Sequence, residues 1–368
     1  MQGGGLVFVF AIPMWALAFI LGVLFFNTIP TWAIFLGVLF SFIVLFLYPR
    51  AFFILLFGFL CGLLRARWGD VVAISDHNFF TEIRDMCDLR LSAYLDDPYK
   101  TLVSGIIFGG SSGFTSEWKN VFRSTGTMHI IAVSGANVAF VVNWIEWGLR
   151  KTVAFPRTRF YFAVIAIGSY VLITGAPASV VRAGIMAFVM HFAPLIGRRP
   201  YPLHALAFAA ALMALCNPSI AKNIGFQFSC LATLGIIMFE SSGDKFAGMI
   251  SETIAATLCI LPLEIYYFKT ASISALLANS FVIPFIPILM IAGGVLLFFT
   301  FGPQFFAAAF SGIVEFFARL MLRILAFFSD IPGSSAVVNI SFFTVTLWYI
   351  ILGFYFYTRC KRHIRTPV

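Results

Sequence analysis

The sequence predicts an all-α polytopic membrane protein with about 12 transmembrane helices, some broken or re-entrant, plus an extracytoplasmic amphipathic helix. Three observations carry this. Of the 368 residues, 61% are hydrophobic and only 11% are charged, against about 45–50% and about 25% in a soluble domain. Mean hydropathy is +0.98. The apolar residues fall in long runs, and about 20 in a row span a bilayer. A soluble globular enzyme, a disordered chain and a coiled coil are excluded.

In chain order the spans are Leu6–Phe26, Thr31–Tyr48, Ala51–Leu64, Met128–Leu149, Phe160–Thr174, Ala178–Ile196, Leu203–Cys216, Ile224–Phe239, Gly248–Phe268, Ser274–Thr300, Gln304–Phe328 and Ile340–Tyr357. The first is too long for a signal peptide and lacks its basic leader and small-residue cleavage site. Gly and Pro interrupt several of the others.

Residues 68–127 are the most polar stretch, with five basic and eight acidic side chains. Within it Phe80, Ile83, Cys87, Leu91 and Tyr94 recur at helical spacing with Glu82, Arg84, Asp85 and Asp88 between them. That pattern predicts an amphipathic helix lying on the membrane surface. Gly105, Gly109 and Gly113 stand four apart, a spacing that lets helices approach closely. The run Leu102–Phe108 is too short to span. The expected organisation is 1–67, N-terminal spans; 68–100, the amphipathic segment; 101–300, the central membrane domain; and 301–368, the last spans and a short basic tail.

The charge of +9 is read first as loop bias, since cytoplasmic loops are enriched in Lys and Arg. The clusters are Arg150, Lys151, Arg157 and Arg159; Arg198 and Arg199; and Arg359, Lys361, Arg362 and Arg365. Counting spans puts all three on one side with both termini, taken as the cytoplasm, and 68–127 outside. Arg65 and Arg67 dissent.

Four stretches carry polar residues where a plain span would not. In 124–144, His129, Ser134, Gly135 and Asn137 interrupt an apolar run. Such breaks are tolerated where backbone is buried in protein or lines a wet cavity. A polar helix start with ordinary interhelical hydrogen bonds is the plainer reading. In 172–190, Pro177 suits a helix opening. Gly175, Ser179, Ala183 and Ala187 make a small-residue seam there, and Arg182 lies about one turn inside. A charge there costs roughly 2.5–3.5 kcal/mol on insertion scales, so it faces a partner or water. Residues 217–235 place Asn217, Asn223, Gln227 and Ser229 beside Gly225. In 261–287, Pro262, Pro284 and Pro287 break helices near Glu264 and Asn279, and broken helices mark binding sites in transporters.

Glu315, Arg319 and Arg323 share one helix at four-residue spacing and read as a self-neutralising cluster. The six cysteines include no CxxC, and the five histidines have no ligand spacing, so neither a disulfide framework nor a metal site is expected.

In this order the four stretches resemble the competence domain of the ComEC family. A G-x-x-H-x-x-A-x-S-G-x-H-V pattern is matched by Gly126, His129, Ala132, Ser134, Gly135 and Val138. Thr174, Gly175, Ser179, Arg182, Ala183 and Met186 match TG-x-x-x-S-x-x-R-A-x-x-M. Arg198, Arg199, Asn217, Pro218, Gly225, Phe226, Gln227 and Ser229 match the RR, NP and GFQLS signals, and Ala278, Asn279 and Pro284 the A-N-x-x-x-x-P signal. The match covers about residues 100–300. Asn137 replaces the family's second His. The extracellular OB-like domain and the metallo-β-lactamase-like domain of many members do not fit in this length, so a channel-only member is expected.

The resemblance implies an inner-membrane channel component passing single-stranded DNA into the cytoplasm, with no enzymatic step and no cofactor. Path candidates are His129, Ser134, Gly135, Asn137, Thr174, Ser179, Arg182, Gln227, Ser229 and Asn279. The expected partners are single-stranded DNA, membrane lipid, a separate DNA-capture protein, a nuclease and a cytoplasmic DNA-handling motor, with homo-oligomerisation open. The acidic 68–127 segment suits DNA capture poorly, hence the separate capture protein. One alternative is a transporter of small anions such as nucleotides or lipid head groups. Another is an intramembrane hydrolase built on Ser134 and His129, but positions five apart sit about 140° around a helix.

Overall fold

A computed structural model describes residues 79–365, apart from 111, 132, 154, 240–244, 273, 303 and 332–334. The first three expected spans lie outside the described residues, as does Ala132. What is described is helical except for a two-stranded ribbon. The order is α1 (Phe79–Ser92), α2 (Tyr99–Phe108), α3 (Ser116–Ser124), α4 (Met128–Ile131), α5 (Gly135–Thr152), α6 (Pro156–Ile173), α7 (Ala178–Leu195), α8 (Pro202–Cys216), a 3₁₀ turn (Pro218–Lys222), α9 (Ile224–Phe239), α10 (Lys245–Phe268), β1 (Thr270–Ser272), α11 (Ala275–Val282), α12 (Phe285–Thr300), α13 (Gln304–Ser329), β2 (Ser335–Val337) and α14 (Phe342–Arg365). The strands pair antiparallel, Thr270 opposite Val337 and Ser272 opposite Ser335.

The chain divides into two compact units. One comprises 79–137, 173–175 and 231 onward. Its core is built from Leu91 of α1, Leu102 and Ile106 of α2, Phe122 of α3, Leu289 and Leu296 of α12, and Met321 and Leu325 of α13. The helix α2 is buried nearly all round, with Thr101, Leu102, Val103, Gly105, Ile106 and Phe108 inside. That is why a ten-residue apolar helix, too short to span, is stable here. The Asp97 carboxylate accepts from the Thr101 backbone N–H at 3.3 Å, fastening its first turn. Helix α3 has its own start and stop signals. Thr115 accepts from the Trp118 N–H at 3.5 Å, Glu117 sits in the first turn and Arg123 in the last, each suiting the helix dipole.

The predicted amphipathic helix is α1, and its predicted apolar stripe packs against protein. Cys87 and Leu91 are buried in this unit's core, with Ile83 and Tyr94 packed against it. A stripe of that width serves a protein core as well as a lipid surface. The Gly105, Gly109 and Gly113 seam also breaks up. Only Gly105 lies on a helix, where a Cβ would stand 2.8 Å from Ile131 Cγ2. Gly109 takes φ 84° and ends α2, its N–H bonding the Gly105 carbonyl.

The other unit, in its described part, comprises 138–172 and 176–230. The helix α8 is alanine-rich and buries Ala205, Ala207, Ala209, Ala210, Ala211 and Ala214. Ala210 and Met213 pack with Phe226 of α9, and Ala178, Val181 and Ile185 of α7 close over them. On α7, Gly184 makes a close approach to α6. A Cβ at Gly184 would stand 3.0 Å from Val171 Cγ2 and 3.4 Å from Ile167 Cγ2 of α6.

Two predicted spans are interrupted. Met128–Leu149 is α4 and α5, with Val133 and Ser134 outside either helix. Ser274–Thr300 is α11 and α12, separated just before Phe285 where Pro284 falls. Among the described residues, α7 and α13 are long and apolar enough to cross a membrane. The shorter apolar helices are α2, α8, α9, α12 and Phe342–Tyr355 of α14.

Candidate functional site

The candidate residues fall into two groups, one in each unit. In the 138–230 unit, α7 opens after Pro177, whose extended backbone turns the chain into the helix. Arg182 follows in its second turn and is buried, at 4% exposure. Its guanidinium donates to the Ser229 backbone carbonyl on α9, and the Cys230 sulfur lies beside it. A carbonyl accepts the hydrogen bond without contributing a neutralising charge. One partner of this buried cation is therefore backbone, the carbonyl of Ser229.

Gln227 and Asn223 shape the start of α9. The Gln227 side chain donates to the Ala221 carbonyl at 2.8 Å, and Asn223 Oδ1 accepts from the Phe226 N–H at 3.0 Å. These bonds fasten the 3₁₀ turn to the helix and set the height at which Ser229 meets Arg182. Ser179 lies in the first turn of α7, partly buried.

In the other unit the break between α4 and α5 is held from three directions. Ser134 donates its hydroxyl to Asn137 Oδ1 at 3.1 Å. Asn137, 3% exposed, donates its amide to the Ile106 carbonyl of α2 at 2.9 Å. A Cβ on Gly109 would stand 3.0 Å from Val133 Cγ2 and 3.6 Å from Val133 N, so a side chain there would push the break away. Gly135 opens α5, and His129 sits in the one-turn helix α4. Thr174 is buried just after α6. Asn279, carried by α11, is 8% exposed, and its Oδ1 has no hydrogen-bond partner among the described residues.

Two other histidines, His191 and His204, have partners within the 138–230 unit. His191 Nδ1 lies 2.9 Å from Glu146 Oε1, and His204 stands edge-on to Tyr201.

Arg84 was not singled out from the sequence. Its guanidinium donates to the Gly109 carbonyl. A Cβ on Gly110 would stand 2.9 Å from it, and one on Gly175 4.0 Å. Both glycines have positive φ, 112° and 77°, a backbone state that disfavours other residues. The available signal was the helical wheel. Position 84 lies about 100° from Ile83, at the border of the buried stripe.

Among the described residues no cluster of His, Cys, Asp and Glu could hold a metal ion. No solved structure matches the chain. ComE operon protein 3 of Bacillus subtilis is 24% identical over 264 residues, 68% of this chain and 34% of that protein. Recombination protein 2 of Haemophilus influenzae is 22% identical over 229 residues, 55% of this chain and 29% of that protein. An uncharacterized protein of Aquifex aeolicus is 28% identical over 247 residues, covering 64% and 55%. The match thus spans about a third of the first two relatives. The competence protein family model matches residues 106–362, well over half of the sequence and spanning both groups of candidate residues. On that match, the chain belongs to the competence protein family.

Proposed function

We propose that this chain is a multi-pass channel component of the bacterial inner membrane that passes single-stranded DNA into the cytoplasm. The carrying observation is Arg182, a buried cation in the second turn of a helix long and apolar enough to cross a membrane. Charge inside a membrane segment is costly and marks ion or substrate pathways. A single strand bears about one negative charge per nucleotide, so its passage needs fixed positive charge. Family membership and the broken α4–α5 and α11–α12 helices support the same reading.

In this reading about 12 spans carry the chain, with both termini cytoplasmic. Arg182 supplies the field, while the Ser134–Asn137 and Gly225–Ser229 segments shape the path. His129, Thr174, Ser179 and Asn279 contribute polar contacts. Capture, strand degradation and pulling fall to separate proteins. Passage involves no bond chemistry. Ser134 gives its hydrogen bond to an amide oxygen, which is no general base.

One observation favours an occluded transporter of small anions as the second reading. At 4% exposure, Arg182 is reached by a polymer only after the bundle opens. The deciding experiment is entry of labelled DNA into the cytosol of a deletion strain complemented with wild type or Arg182→Met. Rescue by wild type alone is expected. Normal entry in the uncomplemented strain would defeat the channel.

A further inference from the structure

Glu315, Arg319 and Arg323 stand on α13, outside the proposed path. A cavity of about 350 Å³ opens beside them, lined by Pro98 and Tyr99 at the start of α2, Trp118 of α3, and Arg319, Leu322 and Arg323. All belong to one compact unit. Arg319 is half-committed: it pairs with Glu315, and its guanidinium carbon stands 5.5 Å from the Tyr99 ring centre. Arg323 is exposed, and among the described residues no ion pair joins it. The three charged side chains carry one net positive charge.

The surroundings say what kind of anion fits. Phe316, Leu320 and Phe327 of α13 are 62%, 36% and 67% exposed. Leu320 and Phe327 lie three before and four after Arg323, so they form one stripe with it. An apolar row therefore leads away from the cationic pocket. With 26 residues, α13 is about 39 Å long, against a hydrocarbon core of about 30 Å. Arg323 is six residues from its end, about 9 Å, a depth from which a guanidinium reaches the headgroup layer. Tyr and Trp favour that layer, and basic pockets between helices take anionic head groups.

We propose that this pocket binds the headgroup of an anionic phospholipid. Arg323, assisted by Arg319, would hold the phosphodiester. Tyr99 and Trp118 wall the glycerol side, and the acyl chains follow Leu320 and Phe316 toward the middle of α13. The inference rests on the membrane reading above and not on DNA as cargo.

The test uses the full chain in nanodiscs of mixed phosphatidylcholine and phosphatidylglycerol, followed by native mass spectrometry of retained lipid. Retention of phosphatidylglycerol over phosphatidylcholine of roughly fivefold per arginine is expected. Arg323→Gln lowers the preference by about fivefold, Arg323→Lys keeps most of it, and the exposed-site control Arg150→Gln keeps all of it. No preference, or one untouched by Arg323→Gln, overturns the inference. So does displacement of the lipid by a short single-stranded oligonucleotide, which would assign the pocket to nucleic acid. Carbonate extraction from phosphatidylcholine vesicles separates the two readings. A chain that is extracted sinks the membrane reading itself, whereas one that stays inserted without lipid preference sinks only this inference.

Discussion

The side-chain amide of Asn137 donates to the backbone carbonyl of Ile106 at 2.9 Å, tying the first turn of α5 to the last turns of α2. The bond holds α5 to α2 just after the α4–α5 break, and Ser134 completes it by donating to the other end of the same amide. A residue that stands where the family pattern has histidine is therefore a structural tie.

Asn137→Ala removes both bonds and leaves a buried carbonyl unsatisfied, which costs about 1–3 kcal/mol. A lower melting temperature of the detergent-solubilised protein checks it. Asn137→His keeps one donor and one acceptor and is expected to lose much less. An equal loss in both variants would show that the hydrogen bonds are not what holds the break.

Arg182→Met substitutes an apolar chain of similar length for a buried cation. The apolar chain carries no cost of burying a charge, so the melting temperature is expected to hold. DNA entry is expected to fall by about tenfold or more, corresponding to ~1.4 kcal/mol. Loss of stability together with entry would mark Arg182 as a structural residue.

Two glycines separate close packing from chain flexibility. At Gly235 a Cβ would stand 2.7 Å from the Ala255 carbonyl oxygen and 2.9 Å from Cys259 Sγ. The first of these is backbone, so α9 and α10 must part, and Gly235→Ala is expected to cost about 1–3 kcal/mol. At Gly148 nothing lies within 4 Å. Gly148→Ala there gains up to about 1 kcal/mol of helix propensity. Opposite shifts in melting temperature are the expected outcome.

Cys87 is buried on α1, and burial pushes its thiol above the ordinary value of 9.0. Only the thiolate reacts. In a background retaining Cys87 alone, maleimide labelling at neutral pH is expected to be slow and to rise with pH, later than for a free thiol. Fast labelling at neutral pH would show that the α1 stripe is not packed on the core.

Much of the secondary structure was legible in order and type, because apolar runs and their Gly and Pro interruptions are local signals. The apolar segments from residue 156 onward coincide with helices α6 to α14 to within several residues, save for the one split at Pro284. The destination of each apolar face was not legible. Hydrophobic spacing along α1 is the same whether Cys87 and Leu91 meet lipid or protein. Nor was the identity of the close-packed glycine. Gly184, Gly235 and Gly293 touch neighbouring helices while Gly168 and Gly294 do not, a difference made by facing elements far away in sequence.

From the sequence alone came the helical class, the unusual polar residues in apolar runs and the family resemblance that the comparisons established. Only the tertiary structure decided what those polar residues bond. Arg84, Asn137, Arg182 and Gln227 all donate to backbone carbonyls, of Gly109, Ile106, Ser229 and Ala221. Every residue carries that acceptor, so no letter in the sequence names it. Which carbonyl a buried donor finds is set by where the folded chain brings an exposed edge of one helix against another.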